Sequence, residues 1–464
     1  MGTGGAFIAI ADDATAANWN PGGLTQLVLP EMSMVYTYED KDLDGTNVNF
    51  RSLNYLSAVY PFSIGEVNLV TSLNFQKLYD FYFDNNFDTQ TRKLDMDATM
   101  LGVVTGDTIA VEKHYKDDLS RVIGSNQIVG EVGALSPAIA VQLTPSFAMG
   151  FAYNFWKDGM VGPRYENQYG HSRQGTFNQY AEVYFDDRAP RCTCDGGQTC
   201  DDTAVPPRTT IDNPSCLASA ELLPGSTAFA VPINYNSQYK STQDISFSGQ
   251  NFNVGLLWKA SPRITLGAVY RSEFTADLRR EQRVQIIKTN YQAGTYNYHW
   301  KFHEKMRFPA SYGVGAAFRY SDNLSLALDV SRIEWDRFTY EYEDGAEVSP
   351  VNGVPLKNAG IDPTMTYRLG AEYLVIRPKY VVPIRGGFFY DPEPARDNPD
   401  DYYGASLGTG LASGPLILDL TYWYRWGNDV TLYTTYNSNT GRIKENRGDI
   451  IRQMVMLSAI IHLD

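Results

Sequence analysis

Phe147-Ala148-Met149-Gly150-Phe151-Ala152-Tyr153-Asn154-Phe155-Trp156 holds the clearest pattern in the chain. Phe147, Met149, Phe151, Tyr153 and Phe155 project one way, while Ala148, Gly150, Ala152 and Asn154 project the other. A side-chain period of two is the signature of a β-strand. One face is large and greasy and the other small or polar, which suits a strand with lipid outside and a wet, crowded interior. The same alternation recurs at Met32 to Tyr38, and again from Val67 to Tyr79, where Asn68, Val70, Ser72, Asn74 and Gln76 form the inner row. It closes the chain with Val455, Leu457, Ala459, Ile461 and Leu463 on one face.

Between such strands the connections fall into two kinds. Six are tight, at Pro61 to Glu66, Thr144 to Ser146, Ala260 to Arg263, Ser321 to Asn323, Arg377 to Lys379 and Ser413 to Pro415. Seven are longer and polar, and the two kinds alternate. The count predicts fourteen antiparallel strands with both chain ends on the short-turn side, an all-β transmembrane barrel. Among the long connections, 80–129 is read as an excursion with a helical stretch over Leu119 to Asn126, and about 157–242 as the largest insertion.

The totals agree. The chain has 464 residues, 32 Tyr, 22 Phe and 39 Gly, with no apolar run near the 18 residues a membrane helix needs. A net charge of −14 disfavours nucleic acid as a partner. All four cysteines, Cys192, Cys194, Cys200 and Cys216, lie in the largest insertion. Their spacing does not fit zinc, and two disulfides in an oxidising compartment fit better, with connectivity open. No signal peptide is expected at Met1.

A barrel this wide is either an open channel or filled by another segment. The candidate filler is GTGGAFIAIADDATAANWNPGGL, Gly2 to Leu24, within a plug assigned to residues 1–30, leaving 31–464 for the barrel. Its side chains are small; Asp12 and Asp13 are placed to cap one helical turn over Ala14 to Asn18, which Pro21 and Gly22 stop. A dinucleotide-loop reading fails for want of a preceding strand.

The stretch AIADDATAANWNPGGL resembles the N-terminal plug of the FadL family of outer-membrane transporters for long-chain fatty acids and other hydrophobic molecules. Where that family has Asn-Pro-Ala this chain has Asn20-Pro21-Gly22, and it ends Leu463-Asp464 rather than in Phe. FNVGLLWKASPRITLGAVYRSEF and FPASYGVGAAFRYSDNLSLALDVSRIEW are similar to the family's hairpins. The resemblance implies that the N-terminus helps form the ligand pocket, and that a kink in the third strand, here along Val67 to Tyr79, opens the wall sideways. No Gly or Pro in that run locates a kink.

Alternation places Arg271, Arg319, Asp329, Arg368, Glu372, Arg385, Asp419 and Arg425 toward the lumen. An Arg on the lipid face costs about 2–4 kcal/mol near the midplane. As a binding set, Arg271, Arg319, Arg368, Arg385 and Arg425 anchor a carboxylate while Phe7, Ile8 and Ile10 line an apolar pocket. As a structural set, the same charges brace the wall and hold the plug. Enzyme chemistry is not expected: of five histidines, His299 and His303 would stand roughly 13 Å apart on a strand, and His462 has no serine partner. Acids at Asp195, Asp201 and Asp202 and at Asp397, Asp400 and Asp401 read as solvated loop charge rather than calcium ligands. No cofactor is implied. The expected function is passive uptake of a hydrophobic compound across the bacterial outer membrane, with outer-membrane lipid and lipopolysaccharide as surroundings. A surface-attachment or secretion component is the rival reading, favoured by the cysteine loop as a site for a protein partner.

Overall fold

The computed structural model describes residues 2–43, 46–105, 108–186, 227–290, 292–437 and 440–463. The cysteines, and with them the disulfide expectation, lie outside the described residues, as do Asp195, Asp201 and Asp202.

Among the described residues nineteen strands form one antiparallel sheet. In order they are β1 (Glu31–Leu43), β2 (Thr46–Ile64), β3 (Val67–Thr105), β4 (Thr108–Thr144), β5 (Phe147–Asp158), β6 (Tyr165–Asp186) and β7 (Thr227–Ser261). There follow β8 (Ile264–Arg271), β9 (Phe274–Asn290), β10 (Gly294–Phe308), β11 (Ser311–Arg319), β12 (Leu324–Ile333), β13 (Thr339–Glu341) and β14 (Glu347–Val348). The last five are β15 (Thr364–Ile376), β16 (Val381–Tyr390), β17 (Tyr403–Ser413), β18 (Leu416–Asn437) and β19 (Arg442–His462). Fourteen of them close a ring, β1-β2-β3-β4-β5-β7-β8-β11-β12-β15-β16-β17-β18-β19, sealed where Glu31 of β1 pairs with His462 of β19. Closure leaves the ring no unpaired terminal strand, as strands in lipid require because a free backbone amide finds no water there, although the β2–β3 ladder stops at Tyr55/Gln76.

The six tight turns fall where the alternation breaks; Gly65 and Gly414 take φ of 62° and 58°, which a side chain would resist. The outward rows are lipid-sized and exposed: Met149, Phe151 and Phe155 on β5, Leu326 and Leu328 on β12, Leu416, Leu418 and Leu420 on β18. Inward, Ala148, Gly150, Ala152 and Asn154 are buried.

The long connections differ from expectation. Leu119 to Asn126, read as helical, is strand within β4, paired on one side with β3 and on the other with β6. Two flanking ladders satisfy every backbone group there, and local helical propensity is overridden. Beyond the ring, the outer parts of β3, β4 and β7 pair with β6, β9, β10, β13 and β14 in an eight-stranded sheet on the long-connection side.

Candidate functional site

The N-terminal segment lies inside the ring. It forms turns over Gly2 to Ile10, a short helix α1 (Ala16–Trp19) and a 3-10 turn over Pro21–Gln26. Asp13 accepts from the Thr15 backbone N–H at 2.8 Å and the Thr15 hydroxyl at 2.5 Å, ordering the entry to α1. Asn20 then ends it and starts the next turn, its side chain accepting from the Gly22 N–H at 3.1 Å.

What receives this segment is a belt of inward glycines. Gly150, Gly255, Gly267, Gly315, Gly370 and Gly387 stand on β5, β7, β8, β11, β15 and β16, and neighbours in the belt are in register: Gly150 with Gly255, Gly267 with Gly315, Gly370 with Gly387. A Cβ on any of the six would come within 3.0 Å of Pro21, Asn20, Ile8, Thr3 or Gly4. The plug backbone is thus seated directly on the wall backbone, a fit only glycine permits.

Polar contacts fix it in place. Asp329, 1% exposed, accepts from the Phe7 and Ile8 amides at 2.6 and 2.8 Å. Ser406 accepts from the Gly4 amide at 2.7 Å and donates to the Gly2 carbonyl at 2.8 Å. Asn20 donates to the carbonyls of Ile8 (2.7 Å) and Leu256 (2.9 Å), and Glu31 accepts from the Ala14 amide at 2.7 Å. The buried Tyr55 hydroxyl reaches the Ala14 carbonyl at 2.8 Å. Gln26 closes the loop by donating to the Ile10 carbonyl.

Above the plug, toward the long connections, is a cavity of about 1040 Å³. Phe7, Ile10, Asp12, Asp13 and Trp19 of the plug line it, with Arg385, Glu372 and Asp419 from the wall. Ile8 instead is 3% exposed and sits against Gly267, Gly313 and Gly315. Pro21 and Gly22 are buried against Gly150 and Gly255. Removal from bulk water, with Asp13 alongside, pushes the Asp12 carboxyl up to about 7, although it opens onto the cavity; burial raises Asp13 as well.

The five lumen arginines occupy different places. Arg385 is gripped by Glu372 at 2.6 Å and Asp419 at 2.5 Å. Arg368 stands 5.8 Å over the Trp19 ring and 3.6 Å from Asp391. Arg271 donates to the Asn18 and Trp19 carbonyls at 3.1 and 3.2 Å. Arg425 is buried farther out, stacked 3.8 Å over Tyr402 and bonded to Glu393 at 2.6 Å. Arg319 is exposed at the short-turn end of β11, away from the cavity. Among the loop acids, Asp400 accepts from Arg447 at 2.8 Å and Asp401 from the Tyr390 hydroxyl at 2.6 Å.

The cavity wall is interrupted on one side. The β2–β3 ladder runs from Ile64/Val67 only to Tyr55/Gln76, whereas β2 stays paired to β1 up to Thr46. The β3–β4 register slips at Leu78, between Lys77 and Tyr79. That one extra residue reverses the facing of β3, so Gln76 is buried inward below it while Tyr79 lines the cavity above. Phe50, Asn54, Lys77, Leu78 and Tyr79, from both sides of the unpaired stretch, border the same cavity.

A closed fourteen-stranded barrel with lipid-sized side chains outside and its own N-terminus seated in the lumen is an outer-membrane channel of the plugged class. The chain belongs to the family of outer membrane protein transport proteins (OMPP1/FadL/TodX), which it matches over residues 2–449. Among solved structures it is similar to a Pseudomonas aeruginosa FadL homologue at 17% identity and TM-score 0.53, covering 100% of this chain and 96% of that one. It is similar to the CymD monoaromatic hydrocarbon channel at 16% identity and TM-score 0.50, with the same coverage of 100% and 96%. The Pseudomonas putida toluene transporter TodX matches at 10% identity and TM-score 0.50, again covering 100% and 96%. Compared with curated proteins, the sequence matches none at a significant level. The protein is a bacterial outer-membrane barrel of a family that transports hydrophobic compounds, and it is not an enzyme.

Proposed function

We propose that the barrel takes up a hydrophobic small molecule by diffusion, holds it above the plug, and releases it sideways into the bilayer between β2 and β3. The observation that carries this reading is the end of the β2–β3 ladder at Tyr55/Gln76, on the border of the cavity. Lateral release spares an apolar cargo from water, each buried CH₂ being worth about 0.8 kcal/mol. No energy source is needed for such a path.

Either a long-chain fatty acid or an uncharged hydrocarbon satisfies the apolar requirement. A fatty carboxylate must compete with Glu372 and Asp419 for Arg385, and it meets Asp12 and Asp13 on the cavity floor. An uncharged cargo faces neither obstacle, so we favour it. Phe7, Ile10 and Trp19 would hold its apolar body, with Arg368 and Arg271 keeping the plug in shape. Outer-membrane lipid surrounds the barrel in this reading, and the region around 157–242 is where a protein partner would dock.

Deleting Leu78 tests the route, because it removes the residue responsible for the register slip. The variant should bind dodecanol as the parent does, yet deliver it into proteoliposomes at least about tenfold more slowly. Unchanged delivery would mean that cargo leaves through the plug. Failure of the parent itself to bind either dodecanol or laurate would favour a surface-attachment role, to which the sheet beyond the ring is suited.

A further inference from the structure

The β9–β10 hairpin departs in charge from the rest of the chain. Residues Phe274 to Phe308 carry seven Lys and Arg (Arg279, Arg280, Arg283, Lys288, Lys301, Lys305, Arg307) against three acids (Asp277, Glu281, Glu304), in a protein of net charge −14. The two faces of the hairpin use this charge differently. Inward, Arg280 is paired with Glu304 at 2.6 Å and covers the Phe302 ring at 4.1 Å, alongside buried Ala276 and Leu278. Outward, Arg279, Lys301, His303, Lys305 and Arg307 are all exposed.

Some of the outward cations have carboxylate partners and three do not. Glu281 is shared among Arg283, His299 (2.7 Å) and Lys301 (4.0 Å), and Arg283 also meets Asp244 of β7 at 3.2 Å. His303 has Glu343 at 3.8 Å. Arg279, Lys305 and Arg307 form no ion pair among the described residues; Lys305 stands in register between Asp277 of β9 and Glu341 of β13 but bridges to neither. Arg279 is directly opposite His303, and such cross-strand neighbours lie about 4.5–5.5 Å apart at Cβ. Lys305 and Arg307 follow on the same face at two-residue steps.

Their height identifies the anion. The outward row below them, Tyr320, Phe318, Val314 and Tyr312, is exposed and lipid-sized, and Tyr312 stacks on Tyr270 at 5.5 Å. Climbing from Tyr320 at the short-turn end to Arg307 takes strand enough for roughly 33 Å of height at the usual tilt, against an apolar band of about 25 Å. Arg307 therefore emerges just above the hydrocarbon, with Lys305 and Arg279 next, all facing the lipid side rather than the lumen.

We propose that the outward face of β9–β10, through Arg279, Lys305 and Arg307, binds the phosphate groups of the outer-leaflet glycolipid, lipid A. The acidic remainder of the barrel would repel an anionic headgroup, so this hairpin acts as the local mooring for a lipid shell around one side of the wall. The interaction is independent of cargo and does not rest on the transport reading.

The test is binding of bisphosphorylated lipid A, against the same lipid stripped of its phosphates, to the full-length protein in detergent micelles by native mass spectrometry. The phosphorylated form should bind tighter, and Arg279→Glu with Lys305→Glu and Arg307→Glu should weaken it about a hundredfold. Folding of the variant is checked by its heat-dependent gel mobility. The comparison of the two lipids on the unaltered protein stands even where the triple variant does not fold. Equal affinity for both lipids overturns the proposal, as does equal affinity of a folded triple variant. Full displacement of lipid A by millimolar inorganic phosphate would show a free-anion site instead and also overturn it.

Discussion

Single residues decide how firmly the plug is held. Asp329 is in phase with lumen-facing neighbours, so its inward direction is readable from alternation; that it clasps two amides of the plug is not. Replacing it with Asn keeps the shape but removes the charge from both hydrogen bonds, and charged acceptors contribute about 1.5–3 kcal/mol. Asp329→Asn should therefore raise hydrogen exchange at Phe7 and Ile8 about tenfold or more while leaving the barrel amides unchanged. An unaltered exchange rate would mean that the glycine belt alone holds the segment.

At the scale of the element, the plug carries its own sensitivity to pH. Asp12 is displaced from an ordinary value of 3.8 to about 7 by its surroundings. A carboxyl raised on folding favours the docked state in its neutral form, so its contribution is complete below about pH 4 and is lost as pH rises through about 7. Docking should loosen progressively between about pH 4 and 7, read as exchange of Ala14 to Trp19 relative to an Asp12→Asn variant at each pH, which cancels the intrinsic rate. The Asn variant should show no such change. Parallel curves for the two proteins would assign the effect elsewhere. Strand β3 gives a second lesson at this scale. From Val67 to Tyr79 it has neither Gly nor Pro, yet the register slips at Leu78. A bulge needs only one residue without an opposite number, and that depends on the partner strand.

For the whole molecule, the ring and the plug are separable. Every ring strand has its ladder neighbours within residues 31–462, and the plug adds hydrogen bonds only to side chains and inner-face atoms. Removing residues 2–27 should leave a barrel that still shows heat-dependent gel mobility and conducts ions steadily across a planar bilayer, where the parent is closed. A truncated barrel that stays insulating would show that the wall or the outer sheet seals the lumen.

Alternation, turn spacing and composition were enough to specify fourteen strands, their facing except beyond Leu78 of β3, the six tight turns and the presence of a lumen segment, because lipid on one side and water on the other impose a period of two on the residues themselves. Small side chains marked the N-terminus as a filler. The inward glycines are visible one at a time in the strands, yet only their alignment around the ring makes them a seat, since each lies on a different strand and register joins them. Which arginines meet which carboxylates, the break between β2 and β3, and the strand conformation of Leu119 to Asn126 were likewise settled by neighbours distant in the chain. Local sequence dictates which way a side chain points; what it meets there depends on the closure of the barrel.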